Sequence, residues 1–355
     1  MTEIPKDLEQ VYASSIPAQV PDPLITPYEQ IRKNYKTNDY KRWLDMAGDP
    51  QSAQHRFGDE FFFVNSTPKF RLKCSDKFFA IGSCFARNIE RELAAQKITV
   101  LTEGTNIPSE FYTAERDARA AMNKFNIPSM IDEVERTFNP NFQEEGRYID
   151  LGGNEYFDPA TSGLKLLSLE DHAKVRAAIR ETTLRMAQAD VVIITLGLVE
   201  AWFDRQSGLF LNTSPHPRAM QQENRRALRG LLPQRVNRFV HMRPNFAYLR
   251  DKMHQLIRSI AFHAPQARVI VSVSPVPLQA TMTSDDVVMS SSLSKSLLRV
   301  VAEDARDNFE HVDYFPSYEM VMNSPRPLTW EDDQIHVKAS LVSRVTSSFV
   351  ERWVD

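Results

Sequence analysis

Gly82-Ser83-Cys84 stands where an apolar run, Phe78-Phe79-Ala80-Ile81, gives way to an amphipathic helical pattern. A nucleophile at such a corner is held at the carboxyl end of a strand and the amino end of a helix. The helix dipole and its free N–H groups favour a thiolate or an oxyanion there. Close to the C-terminus, Asp332-Asp333-Gln334-Ile335-His336 supplies an acid and a base at D-x-x-H spacing. An aspartate at that distance can accept from the imidazole Nδ1–H and leave Nε2 for a nucleophile. Cys84, His336 and Asp333 therefore form a candidate triad for attack on an acyl carbonyl, with Ser83 as the alternative nucleophile and Asp332 as the alternative acid. Each has a plain structural reading as well. Cys84 would be a small buried filler of the turn, and His336 an ordinary surface histidine. Asp333 would cap the C-terminal helix suggested by residues 336–349.

The elements that must position these residues follow from hydrophobic pattern. Residues 78–82, 190–197 and 267–275 are unalternating apolar runs rich in β-branched or aromatic residues, the signature of buried parallel strands. Residues 311–316 form a shorter candidate. Helical patterns occur at 86–96, 168–188, 245–263 and 294–309. Strands alternating with helices imply an α/β fold with a mostly parallel sheet and crossover connections. Ligands in such sheets bind beyond the strand carboxyl ends, which here carry Ser83-Cys84, Thr195-Leu196-Gly197 and Ser274-Pro275. Residues 105–165 and 204–245 read as insertions. Residues 1–64, broken by Pro5, Pro17, Pro21, Pro23 and Pro27, read as an extended arm before a domain spanning 65–355.

Composition narrows the function classes. A 42% hydrophobic and 25% charged chain is ordinary for a soluble enzyme, and a net charge of −3 gives no basic field for nucleic acid. No stretch has the apolar length of a membrane span, and the N-terminus lacks a signal-peptide profile, so a cytoplasmic location is expected. The only cysteines, Cys74 and Cys84, flank an extended segment whose ends lie roughly 30 Å apart, too far for a disulfide. No zinc-type spacing occurs, so no metal and no tightly bound cofactor are expected.

The run Gly82-Ser83-Cys84-Phe85-Ala86 resembles the bacterial GSCFA-domain family, which is grouped with the SGNH/GDSL-type hydrolases. Thr195-Leu196-Gly197, Ser274-Pro275-Val276-Pro277, Tyr314-Phe315-Pro316-Ser317-Tyr318-Glu319 and Asp333-x-x-His336 match in order, over most of residues 65–345. The resemblance implies a three-layer α/β/α sandwich of SGNH type. In GDSL enzymes the nucleophilic serine falls two residues after the glycine, the place Cys84 holds here, with Ser83 at the aspartate position. A related group of polysaccharide-biosynthesis acetyltransferases has G-N-C at that corner. Cys84 is thus preferred over Ser83. A thiolate exchanges readily with thioesters, so transfer from an acyl-CoA co-substrate stands beside hydrolysis.

SGNH proteins complete an oxyanion hole with a glycine N–H and an asparagine. Here the corresponding G-x-N becomes Gly197-Leu198-Val199, which lacks the asparagine. Gly197, Thr195, Gly104 and Asn106 are the candidate replacements, with the Cys84 N–H and with Glu200 at the mouth of the cleft beside Trp202. Residues 314–319 read as scaffold. Arg218, Arg225, Arg226, Arg229, Arg235, Arg238 and Arg243 suggest a lid for donor phosphates or an anionic glycan, against the plainer reading of a solvated face. The expected function is an acyl-group enzyme, an O-acyltransferase or esterase acting on a carbohydrate or glycan precursor. The alternatives are a Ser83 esterase, a non-catalytic scaffold and, more weakly, a thiol-redox protein.

Overall fold

The computed structural model describes residues 26–46, 48–112, 118–142, 146–215 and 238–355. Its contacts divide the chain into two units, Met1–Asp59 and Glu60–Asp355. The first carries α1 (Tyr28–Thr37), which buries no residue, and the short α2 (Ala53–Arg56), whose His55 N–H donates to the capping Ser52 hydroxyl.

The second unit is built on β1 (Phe78–Gly82), buried along its whole length. A strand covered on both faces has no polar side to present, which explains the absence of alternation in its sequence. There follow α3 (Cys84–Ala95), α4 (Ile127–Phe138), β2 (Ile149–Asp150), β3 (Tyr156–Phe157), α5 (Leu169–Leu184) and β4 (Val191–Leu196). Next come β5 (Ala201–Asp204), β6 (Leu209–Leu211), β7 (Phe239–Met242), α6 (Phe246–His263), β8 (Arg268–Val273) and α7 (Val287–Asn308). The chain closes with β9 (Val312–Tyr314), α8 (Ser317–Asn323), α9 (Arg326–Thr329) and α10 (Ala339–Trp353).

The main sheet runs β1-β4-β8-β9, every pair parallel, with Gly82 opposite Thr195 and Leu196 opposite Val273. Phe79, Ile81, Val192 and Ile194 pack on one face against α4, α5, α6 and α7. Phe78, Ala80, Val191 and Ile193 pack on the other against α3, α8 and α10. The fold is therefore α/β with helices on both faces of a parallel sheet. All four expected strands form. β5, β6 and β7 make a separate antiparallel sheet, in the region where the sequence suggested only an insertion.

Two helix boundaries differ from expectation. The helix expected from residue 294 starts at Val287, because Asp286 caps it by accepting from the Val288 N–H at 2.7 Å. The serine run at 290–292 hides this start, although Ser290 faces the core. At the C-terminus, α10 begins after Lys338 with no side-chain cap, so Asp333 does not cap that helix.

Asp132 ties α4 to β6 by accepting from the Phe210 N–H at 2.6 Å, and burial pushes its carboxyl up to about 7. The folded chain then keeps a proton that the unfolded chain releases between about pH 4 and 7, so stability drains away across that window. Asp132→Asn keeps an acceptor for Phe210 without the charge. It should match wild type in urea unfolding at pH 4 and exceed it by about 1–2 kcal/mol at pH 8. Equal stability at both pH values would contradict this account.

Candidate active site

The corner between β1 and α3 is fixed by backbone and packing before any chemistry is considered. Gly82 has φ of 142°, a conformation L side chains rarely adopt. The Ser83 N–H donates to the Thr195 carbonyl at 3.1 Å, and the Lys124 N–H donates to the Gly82 carbonyl at 2.7 Å. Ser83 is the N-cap of α3: its Oγ accepts from the Phe85 N–H at 3.3 Å and lies 3.2 Å from Thr195 Oγ1. Only 3% of Ser83 is exposed. Cys84 is the first helical residue, half-buried, and both it and Cys74 are unbridged thiols. The hydroxyl thus serves the helix, and the thiol is the group presented at the helix N-terminus.

Asp333 and His336 form the second part. Gln334 takes a left-handed φ of 57°, and a bridge between Trp330 and Val337 closes the turn. Asp333 Oδ1 accepts from the Ile335 and His336 N–H groups at 2.9 Å each, and His336 Nδ1 donates to Oδ2 at 2.5 Å. His336, led by its backbone N–H, pulls the Asp333 carboxyl down to about 2. With Nδ1 committed to a carboxylate, Nε2 is the nitrogen left to accept a proton. The pair is exposed, so its value lies in fixing the imidazole rather than in stability.

Chain direction brings the two parts to one end of the sheet. α3 leaves the carboxyl end of β1. α10 finishes at the opposite end, where the Leu72 N–H donates to the Trp353 carbonyl and Leu72 bridges Val354. The helices run alongside each other, and Glu92 of α3 accepts from Ser343 at 3.1 Å and Ser347 at 3.5 Å. Going back ~12 Å along α3 from Glu92 reaches Cys84, and a similar path back from Ser343 reaches the 333–336 turn.

A third component was invisible in the sequence reading. Lys295, on α7, is 3% exposed and donates its Nζ to the Gly197 carbonyl at 2.5 Å. Gly197 is pressed against the corner, since a Cβ there would sit 2.8 Å from the Phe125 carbonyl oxygen and 3.4 Å from Ser83 Cβ. Burial pulls the Lys295 ammonium down to about 7, and the charge of Cys84 opposes that fall. The signal available in the sequence was position: Lys295 lies on the same helical stripe as the buried Leu298 and Ala302.

The remaining candidates divide. Gly197 lies beside the corner. Thr195 is fully buried beneath it, and its hydroxyl faces Ser83. Glu200 accepts from Thr281 at 2.6 Å, the Met282 N–H at 3.1 Å and His241 at 3.2 Å. Burial raises the Glu200 carboxyl, but His241, Thr281 and the Met282 N–H outweigh it and hold the group below the ordinary range. Its bonds staple the loop after β8 to β5 and β7. Trp202 packs edge-on against His241. Gly104 and Asn106 are exposed, and among the described residues Asn106 makes no hydrogen bond to the corner. Ser274 Oγ is buried and has no partner among the described residues. Tyr314 donates to Glu319 at 2.8 Å under the Arg299 guanidinium, a scaffold contact. Arg238 pairs with Asp204 and Arg243 with Asp285, so both serve the fold. Arg218, Arg225, Arg226, Arg229 and Arg235 lie outside the described residues.

A strand-to-helix corner presenting a thiol, with an Asp–His pair at the same end of a parallel sheet, defines a candidate nucleophile site. The GSCFA family model matches residues 77–349, and the chain belongs to the GSCFA family. No curated protein sequence matches it. Among solved structures it is similar to a Clostridium thermocellum family 3 carbohydrate esterase, at 8% identity and a TM-score of 0.29, covering 78% of this chain and 94% of that one. Among the described residues no helix is long and apolar enough to cross a membrane, and no cluster of His, Cys, Asp or Glu could hold a metal ion.

Proposed function

We propose that this protein is an acyl-group enzyme of SGNH-like architecture in which Cys84 attacks the carbonyl of an ester or thioester. The observation that carries this reading is the division of labour at the corner, where Ser83 is spent as N-cap and Cys84 is left at the helix N-terminus. Attack forms a bond from Sγ to the acyl carbon and expels the donor's alcohol or thiol. The acyl group then passes from Cys84 to an acceptor oxygen, regenerating the thiolate. His336, entering with a proton on Nε2, gives it to the first leaving group and takes one back from the acceptor as the thiolate is regenerated, while Asp333 holds Nδ1. The Cys84 N–H and Gly197 would serve the oxyanion. A thiol nucleophile favours an acyl-CoA donor, and the kinship of the corner with polysaccharide acetyltransferases favours a sugar hydroxyl as acceptor; with water as acceptor the same site is an esterase.

Intact-mass spectrometry after exposure to acetyl-CoA or p-nitrophenyl acetate tests this. Wild type should gain one acetyl group on the peptide holding Cys84, and Cys84→Ala should gain none. His336→Asn should slow turnover by roughly 10²–10⁴-fold. An acetyl group on Ser83, or undiminished turnover in Cys84→Ala, would remove cysteine catalysis.

A further inference from the structure

We infer that Lys295 is the built-in counter-ion and proton acceptor of the Cys84 thiol, which leaves His336 free for the donor's leaving group and the acceptor oxygen. The inference rests on reading Cys84 as the nucleophile and adds a positioning residue that acts through it. Lys295 reaches the corner from the opposite face of the sheet, since α7 packs with α4, α5 and α6 while Cys84 opens α3 on the other side. Its Nζ is anchored on the Gly197 carbonyl at 2.5 Å, and Gly197 lies close enough to the corner that a Cβ on it would sit 3.4 Å from Ser83 Cβ, on the residue before the thiol. A lysine that is 3% exposed needs a compensating anion. Its anchor is a neutral carbonyl, and the charge that counters its burial is that of Cys84. His336, by contrast, has 67% of its side chain exposed, as suits a group that meets an incoming acceptor.

The proton balance is simple. The Cys84 thiol gives its proton to the neutral Lys295 amine, leaving a thiolate and an ammonium, and no other reagent is needed. The ammonium then stays beside the thiolate, and the dipole of α3 supports the same charge. Because burial brings the lysine down to about 7, its neutral amine and its ammonium are both present at physiological pH.

The test is the rate of iodoacetamide alkylation of the full-length chain from pH 5 to 9, on a Cys74→Ala background so that one thiol reports. Lys295→Met should move the profile to the alkaline side by at least one pH unit, lowering the rate at pH 7 about tenfold. Lys295→Arg keeps a cation and should retain the wild-type rate at pH 7 within about threefold. His336→Asn should leave the profile in place. A Lys295→Met profile that overlays wild type, or a His336→Asn profile that shifts while Lys295→Met does not, overturns the pairing. Should Lys295→Met lose its near-UV circular dichroism, Lys295→Arg decides, because reactivity lost with the cation present contradicts a counter-ion. The acetylation experiment separates the two readings. Acetyl transfer to a Cys84 whose profile ignores Lys295 refutes this inference alone. A Lys295-dependent thiolate that never accepts an acyl group leaves the pairing standing and removes the acyl-enzyme reading.

Discussion

Gly82→Ala is expected to unfold the protein or to cost more than ~4 kcal/mol, a size reserved for a few severe mechanisms. A Cβ at residue 82 would lie 2.3 Å from the Thr195 carbonyl oxygen, 2.4 Å from Thr195 Oγ1 and 2.7 Å from the Thr195 N. Two of those atoms are backbone of the adjacent parallel strand, so no rotamer change relieves the clash. The φ of 142° adds a conformational cost of its own. The control is Gly104→Ala, where φ is 73° and nothing lies within 4 Å. There only the left-handed penalty of about 1–2 kcal/mol should appear. Urea unfolding of both variants separates conformation from space. If Gly82→Ala lost no more than Gly104→Ala, the close approach of β1 to β4 would not be what sets the corner.

This corner also marks how far the sequence could be read. The strands were legible because burial on both faces erases polar alternation, as in Val191–Leu196. The end of β1 was legible because glycine, a capping serine and an amphipathic run follow one another without a gap. The D-x-x-H turn was legible because an Asp accepting from two N–H groups ahead of it is a local structure. Lys295 was not. Its anchor on Gly197 spans 98 residues of sequence, and the stripe it shares with Leu298 and Ala302 signals burial but not its partner. Glu200 and Thr195 show the reverse, residues whose type was legible but whose partners were not. Their types and proximity to Gly197 suggested a part in the cleft, yet their oxygens face Thr281, Met282, His241 and Ser83. Polar groups at a strand end are often needed to hold the loops above it, and only the contact pattern tells that role from a catalytic one.

A second cost lies behind the corner, where Glu133→Gln is expected to destabilise the fold by about 3–5 kcal/mol at pH 7. Glu133, on α4, is 3% exposed and accepts from Lys124 at 2.8 Å and from Arg176 at 2.6 and 3.2 Å. Burial pushes its carboxyl up, but Arg176 and Lys124 outweigh that and hold it well below the ordinary range. Glutamine preserves the shape and removes the charge, leaving two buried cations without their shared anion. The loss should depend on pH in one direction. The unfolded glutamate takes up a proton as pH falls through the ordinary carboxylate range while the folded one does not. Wild type therefore loses this stabilisation in acid, and the gap between the two proteins narrows from pH 7 towards pH 3. The damage should also reach the thiol. Lys124 holds the Gly82 carbonyl through its own N–H, and the neighbouring Phe125 carbonyl accepts from the Leu198 N–H at 2.8 Å, just past Gly197. A Glu133→Gln variant with wild-type urea stability at pH 7 would mean that Lys124 and Arg176 find other compensation. A gap that widened in acid would mean that Glu133 is not the charged member of this network.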